Sequence, residues 1–272
     1  MDSCFCAWFY LPPARSNSSK VEAVCSLERH NVEIHQNRRS WLRKPVLRKI
    51  YEGFHRQILQ SCRRDLHGAT VEIGSGLGQI KVVIPDCITT DVWPNPWLDR
   101  VENAYRLSFA NDSVANLILF DVWHHLRYAG TALLEFRRVL APGGRLVIFD
   151  PCMSLLGLLV YGVFHHEPLG LRDATGWFAP ADWDSEKADY YAAASSAWRT
   201  FCRSKASPLN GWRTVSLRRA AALSYVASGG FRAPQLYPSA LLPFLQRIDG
   251  ILDFFPSFFA TRLLVVLEKN GE

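Results

Sequence analysis

A glycine-rich turn that directly follows a short apolar segment is the feature that most constrains this fold. Residues 69–73 have the composition of a buried strand, and Gly74, Gly76 and Gly78 follow at alternate positions. Glycine lets the backbone adopt left-handed conformations and lets a ligand approach the chain closely. A strand that ends in such a turn is typical of open α/β sheets, in which ligands bind at the carboxyl ends of the strands.

The segments after this turn alternate between short strands and helices. We predict strands over residues 87–90, 115–120 and 145–149, and a helix over residues 133–140 that is closed by Pro142 and two glycines. Strand–helix–strand units of this length predict right-handed crossovers and therefore a parallel sheet.

Three regions depart from this alternation. Residues 27–66 have a helical period that Pro45 interrupts, which predicts two amino-terminal helices that form a lid. Residues 1–26 show no period, and we expect an irregular tail. Residues 152–213 mix apolar, Trp-rich and Ala-rich pieces, and we expect a substrate cap inserted over the sheet.

The alternation resumes after this insertion. We predict a helix over residues 217–228, a strand near residues 234–237, a further helix and a closing strand over residues 262–268. The main domain is therefore expected to consist of residues 67–151 and 214–272.

Composition narrows the class of protein. The net charge of +6 is compatible with an anionic partner. However, much of the basic excess lies in the helical stretch of residues 38–64, and no nucleic-acid motif accompanies it, so we do not expect nucleic-acid binding. The seven cysteines include no C-x-x-C pair, which indicates reduced thiols in a cytoplasmic protein. The apolar run over residues 153–164 is too short to span a bilayer.

The glycine spacing discriminates between cofactors. A dinucleotide fingerprint, G-x-G-x-x-G, would require a third glycine at Gln79. The sequence instead reads E-x-G-x-G-x-G from Glu72 to Gly78. At this point the chain resembles the class I S-adenosylmethionine-dependent methyltransferases.

Three further segments resemble the same family and occur in the family's order. Residues 103–109 (N-A-Y-R-L-S-F) are similar to its D-A-x-x-L-P-F segment, and residues 121–126 (D-V-W-H-H-L) resemble the end of its fourth strand. Residues 135–146 (E-F-R-R-V-L-A-P-G-G-R-L) match the signature that precedes its fifth strand.

The resemblance implies a fold, a cofactor and a cofactor site. The fold would be α/β: a Rossmann-like, mostly parallel sheet with an antiparallel last strand, amino-terminal helices and an inserted helical cap. The cofactor would be S-adenosyl-L-methionine, with Asp91 accepting hydrogen bonds from the ribose hydroxyls and Asn103, in place of the family's Asp, beside the adenine. The implied cofactor-binding residues are Glu72, Gly74, Ser75, Gly76, Gly78, Asp91, Val92, Asn103, Ala104 and Asp121.

Histidines are the candidates for the catalytic base. His124 and His125 follow the predicted fourth strand, and His166 lies in the cap beside Glu167. Adjacent histidines do not easily face one ion, and no third ligand stands at a metal-ligand spacing, so we expect no metal site.

The many aromatic residues of the cap and the carboxyl-terminal region favour a small-molecule acceptor. We expect the methylated group to be a hydroxyl of a sugar, a glycolipid or a natural product. Peripheral membrane contact is compatible with this acceptor, and no obligate protein partner is expected.

Three other functions remain open on the sequence alone. A nicotinamide-dependent oxidoreductase would use a similar sheet, although Gln79 and the Pro-Gly-Gly turn at 142–144 disfavour it. A methyltransferase-like binding protein without activity would keep the fold, and Asn103 leaves room for it. RNA methylation would use the positive charge, but the sequence contains no N-P-P-Y-type motif.

Overall fold

The structure is a computed structural model that describes residues 19–165, 167–186, 190–203 and 209–271. Its strands are β1 (Ala69–Ile73), β2 (Ile88–Asp91), β3 (Arg100–Val101), β4 (Val114–Phe120), β5 (Leu140–Pro151), β6 (Trp212–Ala221) and β7 (Ala260–Lys269). Its α-helices are α1 (Ser19–Arg43), α2 (Pro45–Ser61), α3 (Ala129–Val139), α4 (Leu155–Leu159), α5 (Ser196–Trp198), α6 (Leu223–Ala227), α7 (Leu242–Leu252) and α8 (Pro256–Phe259).

The seven strands form one sheet in the order β3-β2-β1-β4-β5-β7-β6. Strands β1 to β5 pair in parallel, whereas β7 is antiparallel to both of its neighbours, β5 and β6. The predicted mostly parallel sheet with an antiparallel last strand is confirmed. The carboxyl ends of β1, β2, β4 and β5 consequently meet at one edge of the sheet.

The core has two layers, one on each face of the sheet. All seven residues of β4 are buried, and because side chains alternate along a strand, they serve both layers. Leu117 and Leu119 face the layer that contains α3, whereas Ile118 and Phe120 face the layer that contains α2. The central strand is thus covered on both faces, which explains its continuous apolar sequence.

Two amino-terminal helices are present and are divided at Pro45, as predicted. Pro45 occupies the first turn of α2, where its missing N–H leaves no helical hydrogen bond unmade. Helix α1 already begins at Ser19, inside the segment that we expected to be irregular; residues 1–18 lie outside the described residues.

Two predictions for the carboxyl-terminal region are wrong. Residues 217–228 were predicted to form one helix, but residues up to Ala221 belong to β6, and only α6 is helical. Residues 234–237 are not a strand; the amide of Leu236 donates to the carbonyl of Ala227 in an irregular turn. Prolines at both ends of this segment remove backbone donors that a strand would need.

Residues 152–211 separate β5 from β6 along the chain. The described residues of this segment form α4, α5 and two single-turn π-helices over Val160–Phe164 and Arg199–Arg203. Among the described residues, no helix has the length and apolar character needed to cross a bilayer.

Candidate active site

The glycine turn joins β1 to the 3₁₀-helix Gln79–Val82, and its three glycines all have positive φ angles, of 69°, 55° and 65°. A Cβ on Gly74 would lie 2.4 Å from Cγ2 of Val122, and one on Gly78 would lie 2.9 Å from the carbonyl oxygen of Trp97. A Cβ on Gly76 would approach nothing closer than Cδ1 of Ile34, at 4.0 Å. Gly74 and Gly78 therefore permit close packing, whereas Gly76 presents its backbone to the space beneath α1.

Asp91 ends β2 beside this turn. Its Oδ2 accepts from the amide of Gly76 at 3.1 Å, and its Oδ1 accepts from the amide of Val92 at 2.8 Å. Burial raises the pKa of Asp91, and the nearby His30 of α1 opposes that shift. The carboxylate is therefore fixed against the turn while its oxygens keep lone pairs for a further donor.

Glu72 lies at the other side of the turn and is buried. Burial raises its pKa to about 8, although a hydrogen bond with Ser75 opposes the shift. Its Oε2 has no hydrogen-bond partner among the described residues. An acceptor left unpaired in the interior is costly, so this oxygen is suited to a donor supplied by a ligand.

The other residues predicted to contact the cofactor have varied surroundings. Ser75 is buried, and its Oγ donates to the carbonyl of Glu72, which ties the turn to β1. Val92 is half exposed, and Ala104 packs against the core on the α3 side.

The Asn103 side chain takes part in its own turn. Its Oδ1 accepts from the amide of Tyr105 at 3.0 Å, and its Nδ2 donates to Oγ of Ser185 at 3.2 Å. A carbonyl oxygen has a second lone pair, so the predicted contact with an adenine amino group remains chemically compatible. The ring of Trp183 packs edge-on against those of Tyr105 and Tyr128, 4.8 and 4.9 Å between centroids.

Helix α1 covers the turn. Ile34 is buried beside Gly76, and the ring of His35 meets that of Trp97 edge-on at 6.3 Å. The guanidinium of Arg38 lies 5.3 Å from the centroid of the same Trp97 ring. These contacts bring α1 to the cofactor side of the sheet, where a lid would lie.

The two predicted histidines follow β4 in a 3₁₀-helix, Trp123–His125. His124 is buried; its Nδ1 lies 3.0 Å from Oδ1 of Asp150, and its Nε2 lies 3.2 Å from Oε2 of Glu167. His125 is partly buried; its Nδ1 lies 3.0 Å from the carbonyl oxygen of Tyr191, and its Nε2 lies 3.7 Å from Oε1 of Glu167. Glu167 therefore joins the two rings, and His166 lies outside the described residues.

The charges in this cluster are strongly coupled. Burial opposes charge on the His124 ring, but Asp150 and Glu167 outweigh it and raise the pKa of His124 to about 10. Burial and the neighbouring His124 lower the pKa of His125 to about 4. Burial alone would raise the pKa of Glu167, yet the two histidines lower it well below its usual range.

Asp121 directly follows β4, three residues before His124. It adopts a positive φ of 55°, and its carboxylate forms an ion pair with the buried Arg262 of β7. The guanidinium of Arg262 lies 4.6 Å from the ring centroid of Tyr225 and 5.6 Å from that of Phe54. The guanidinium of Arg262 is therefore enclosed by aromatic rings and poorly hydrated, whereas the Asp121 side chain is 30% exposed.

Sequence reasoning missed three residues of this region: Asp150, Glu167 and Arg262. Asp150 follows the predicted fifth strand, and a carboxylate at that edge of the sheet is a signal that could have been used. Glu167 was noted only as a neighbour of His166. Arg262 lies at the start of an apolar strand, and the sequence around it contains no signal of a site.

A sequence match identifies the central part of the chain. Residues 71–148 match the model of a methyltransferase domain, which includes the glycine turn, Asp91 and the two histidines. The chain contains a methyltransferase domain, and the protein is an S-adenosylmethionine-dependent methyltransferase. S-adenosylmethionine is therefore the cofactor of this methyltransferase, and the oxidoreductase alternative is set aside.

No curated protein gives a significant match to the sequence. Among solved structures, a methyltransferase of Thermotoga maritima described as a possible histamine N-methyltransferase is 13% identical, with a TM-score of 0.48 over 88% of this chain and 99% of that chain. An S-adenosylmethionine-dependent methyltransferase of Archaeoglobus fulgidus is 12% identical, with a TM-score of 0.47 over 82% and 94% of the two chains.

The residues at the turn of the methyltransferase fit its cofactor. The open backbone at Gly76 admits a ligand, the carboxylate of Asp91 can accept from a vicinal diol, and the unpaired Oε2 of Glu72 can accept from an ammonium group. These three features lie at the carboxyl ends of β1 and β2.

Proposed function

We propose that this methyltransferase methylates a hydroxyl group of a small amphiphilic acceptor, such as a glycolipid or a lipid-like natural product. The single observation that carries this proposal is an exposed apolar surface that adjoins the histidine cluster. We call this surface the apolar ridge, and its residues are Leu155, Leu159, Val163, Phe164, Phe254, Phe255 and Phe258.

The apolar ridge is formed by two neighbouring pieces of chain. Helix α4 and the π-helix that follows it contribute four residues, and the segment around α8, which packs against α4, contributes three. Phe164 is 78% exposed and Phe254 is 82% exposed. A cluster of large apolar side chains in contact with water is typical of a surface that binds a lipid or another apolar partner.

The chain leads from the ridge to the histidine cluster. Tyr161 of the π-helix is buried and donates to the carbonyl of Thr261 at 2.8 Å, whereas Val163 and Phe164 point outward. The chain then turns inward, so that Glu167 reaches His124. An acceptor with an apolar tail on the ridge would therefore carry its polar group toward the histidines.

The cofactor supplies a methyl group that is already activated by its attachment to a sulfonium. The protein is left with binding, orientation and removal of the hydroxyl proton. We assign cofactor binding to the ten residues predicted from the sequence, with Glu72, Gly76 and Asp91 as the principal contacts. Of the predicted bases, His124 is enclosed by Asp150 and Glu167, whereas the partly exposed His125 faces the acceptor side.

The proposal is tested by supplying the full-length protein with S-adenosylmethionine labelled in the methyl group and with a cellular extract divided into lipid and aqueous fractions. We expect label in a compound of the lipid fraction, and fragmentation of that compound should show a methyl ether. The Asp91→Ala protein is the control for background transfer. Label found only in aqueous metabolites or in RNA would contradict an amphiphilic acceptor.

A further inference from the structure

The cluster at the end of β4 has the composition and arrangement of a metal site, contrary to the expectation from the sequence. We propose that His124, His125 and Glu167 bind one divalent transition-metal ion of the Zn²⁺ type. Each residue offers one ligand atom, and these three atoms all lie within 4.8 Å of one another. Ligand atoms about 2.0–2.2 Å from a tetrahedral Zn²⁺ ion are about 3.3–3.6 Å apart, so side-chain adjustments would have to bring the three atoms closer together.

The hydrogen bonds of both rings leave the same nitrogen available. Nδ1 of His124 faces the carboxylate of Asp150, and Nδ1 of His125 faces the carbonyl oxygen of Tyr191, each at 3.0 Å. Both oxygens are acceptors, so each Nδ1 can carry the ring proton; in that tautomer the Nε2 lone pair of a neutral ring faces Glu167. Carboxylate and backbone carbonyl groups orient metal-binding histidines in the same manner.

The hydrogen bonds of His125 are incomplete without a cation. If its Nδ1 donates to the carbonyl of Tyr191, its Nε2 lone pair faces Oε1 of Glu167 at 3.7 Å. If Nε2 carries the proton instead, Nδ1 faces the carbonyl as a second acceptor. A neutral ring therefore has an acceptor opposite an acceptor in either tautomer, and a metal ion between Nε2 and the carboxylate would resolve this conflict.

A divalent ion also accounts for the charge of the cluster. Asp150 and Glu167 bring two carboxylates into a largely buried site, and the ring centroids of the two histidines are only 4.1 Å apart. Balancing the carboxylates with two adjacent imidazolium ions would place like charges in contact. One ion bound to two neutral rings supplies the same charge without that repulsion.

The donor set indicates the kind of ion and its use. Two imidazoles and one carboxylate suit Zn²⁺ or another late first-row ion better than Mg²⁺ or Ca²⁺, which prefer oxygen ligands. Three protein ligands leave a coordination position open, as in catalytic zinc sites. That position would hold the acceptor hydroxyl and lower its pKa, in which case the ion replaces a free His125 as the activating group. Metal binding itself does not depend on which acceptor is methylated.

The test uses the full-length protein after treatment with a chelator. Co²⁺ is added stepwise, and visible ligand-field absorption is recorded; Zn²⁺ binding is measured separately by calorimetry. We expect saturation at one ion per chain. His125→Gln and Glu167→Gln should each weaken binding at least about tenfold, and Asp150→Asn, which alters the orienting carboxylate, should weaken it by about 10–100-fold.

Two controls make the outcome decisive. His67→Gln changes an exposed histidine outside the cluster and should leave affinity unchanged. Binding of S-adenosylhomocysteine shows that each variant is folded, because the cofactor turn does not include the altered residues. The metal site would be overturned if the unaltered protein gave no saturable Co²⁺ spectrum. It would also be overturned if the His125→Gln and Glu167→Gln proteins bound metal as tightly as the unaltered protein. Neither result would affect the methyltransferase assignment.

Discussion

Glu72 combines deep burial with an unpaired carboxylate oxygen, and this makes it a source of pH-dependent stability. Its pKa of about 8 in the folded protein lies far above the value of 4.5 for an unperturbed Glu. Between these two values the folded state binds more protons than the unfolded state. The free energy of unfolding should therefore decrease as pH rises from about 4.5 to about 8. Over this range the unfolded chain holds Glu72 ionised in water, whereas the folded protein must either keep it protonated or bury its charge.

Replacing Glu72 with Gln should remove this contribution. We expect Glu72→Gln to be more stable than the unaltered protein at about pH 8, with the difference shrinking toward about pH 5. Urea unfolding at a series of pH values measures it, and Glu186→Gln, at an exposed position, is the matched control. Parallel pH profiles for the Glu72→Gln and unaltered proteins would show that burial does not raise the pKa of Glu72.

At the residue scale, the predictable site residues are those that belong to a short sequence motif. The glycine turn and Asp91 follow from spacing and from the rule that ligands bind at the carboxyl ends of parallel strands. The contact between His124 and Asp150 joins residues 26 positions apart, and that with Glu167 crosses the insertion. No periodicity encodes such contacts, so the cluster emerges only from the folded chain.

At the element scale, β6 shows where sequence reasoning failed. Its residues Leu217–Ala221 include Arg218, Arg219 and alanines, all good helix formers. Their pairing with the buried strand β7 overrides that preference, and the exposed charges suit a strand at the edge of the sheet. In contrast, β4 was predictable because a strand buried on both faces has a continuous apolar sequence.

Helix α1 should respond to the cofactor, because Ile34 and Arg38 lie over the glycine turn and Trp97. We expect amide hydrogen exchange in residues 30–43 to slow when S-adenosylhomocysteine is added, since a bound ligand stabilises the closed arrangement. Helix α7, which does not contact the turn, is the internal control. Equal exchange of residues 30–43 with and without ligand would rule out a lid.

At the scale of the whole molecule, the parallel order of the sheet explains why the two halves of the site adjoin. The cofactor turn follows β1, Asp91 ends β2, and the histidines and Asp150 lie at the ends of β4 and β5. The amino-terminal helices and the insertion then cover this edge from different parts of the chain. The parallel sheet was predictable from the sequence. The apolar ridge was not, because large apolar residues are usually buried and the sequence does not show which of them are exposed.

The apolar ridge and the net charge of +6 together predict binding to anionic membranes. The double variant Phe254→Ser/Phe258→Ser should reduce the fraction of protein that sediments with phosphatidylglycerol-containing vesicles by at least about tenfold, because each buried Phe contributes about 1.5–3 kcal/mol. Leu134→Ser, at a 60% exposed position on α3, is the control for loss of any surface apolar group. Equal sedimentation of the two variants would contradict the role of the ridge.

If the glycine turn and Asp91 together hold the adenosyl group of the cofactor, calorimetric titration with S-adenosylhomocysteine should detect the loss of that carboxylate. Asp91→Ala removes a carboxylate expected to accept from the ribose hydroxyls, and hydrogen bonds to charged groups contribute about 1.5–3 kcal/mol. We predict saturable binding to the unaltered protein and to Asp86→Ala, which changes an exposed carboxylate, and at least about tenfold weaker binding to Asp91→Ala. Equal affinity of all three proteins for S-adenosylhomocysteine would contradict the role of Asp91 in cofactor binding.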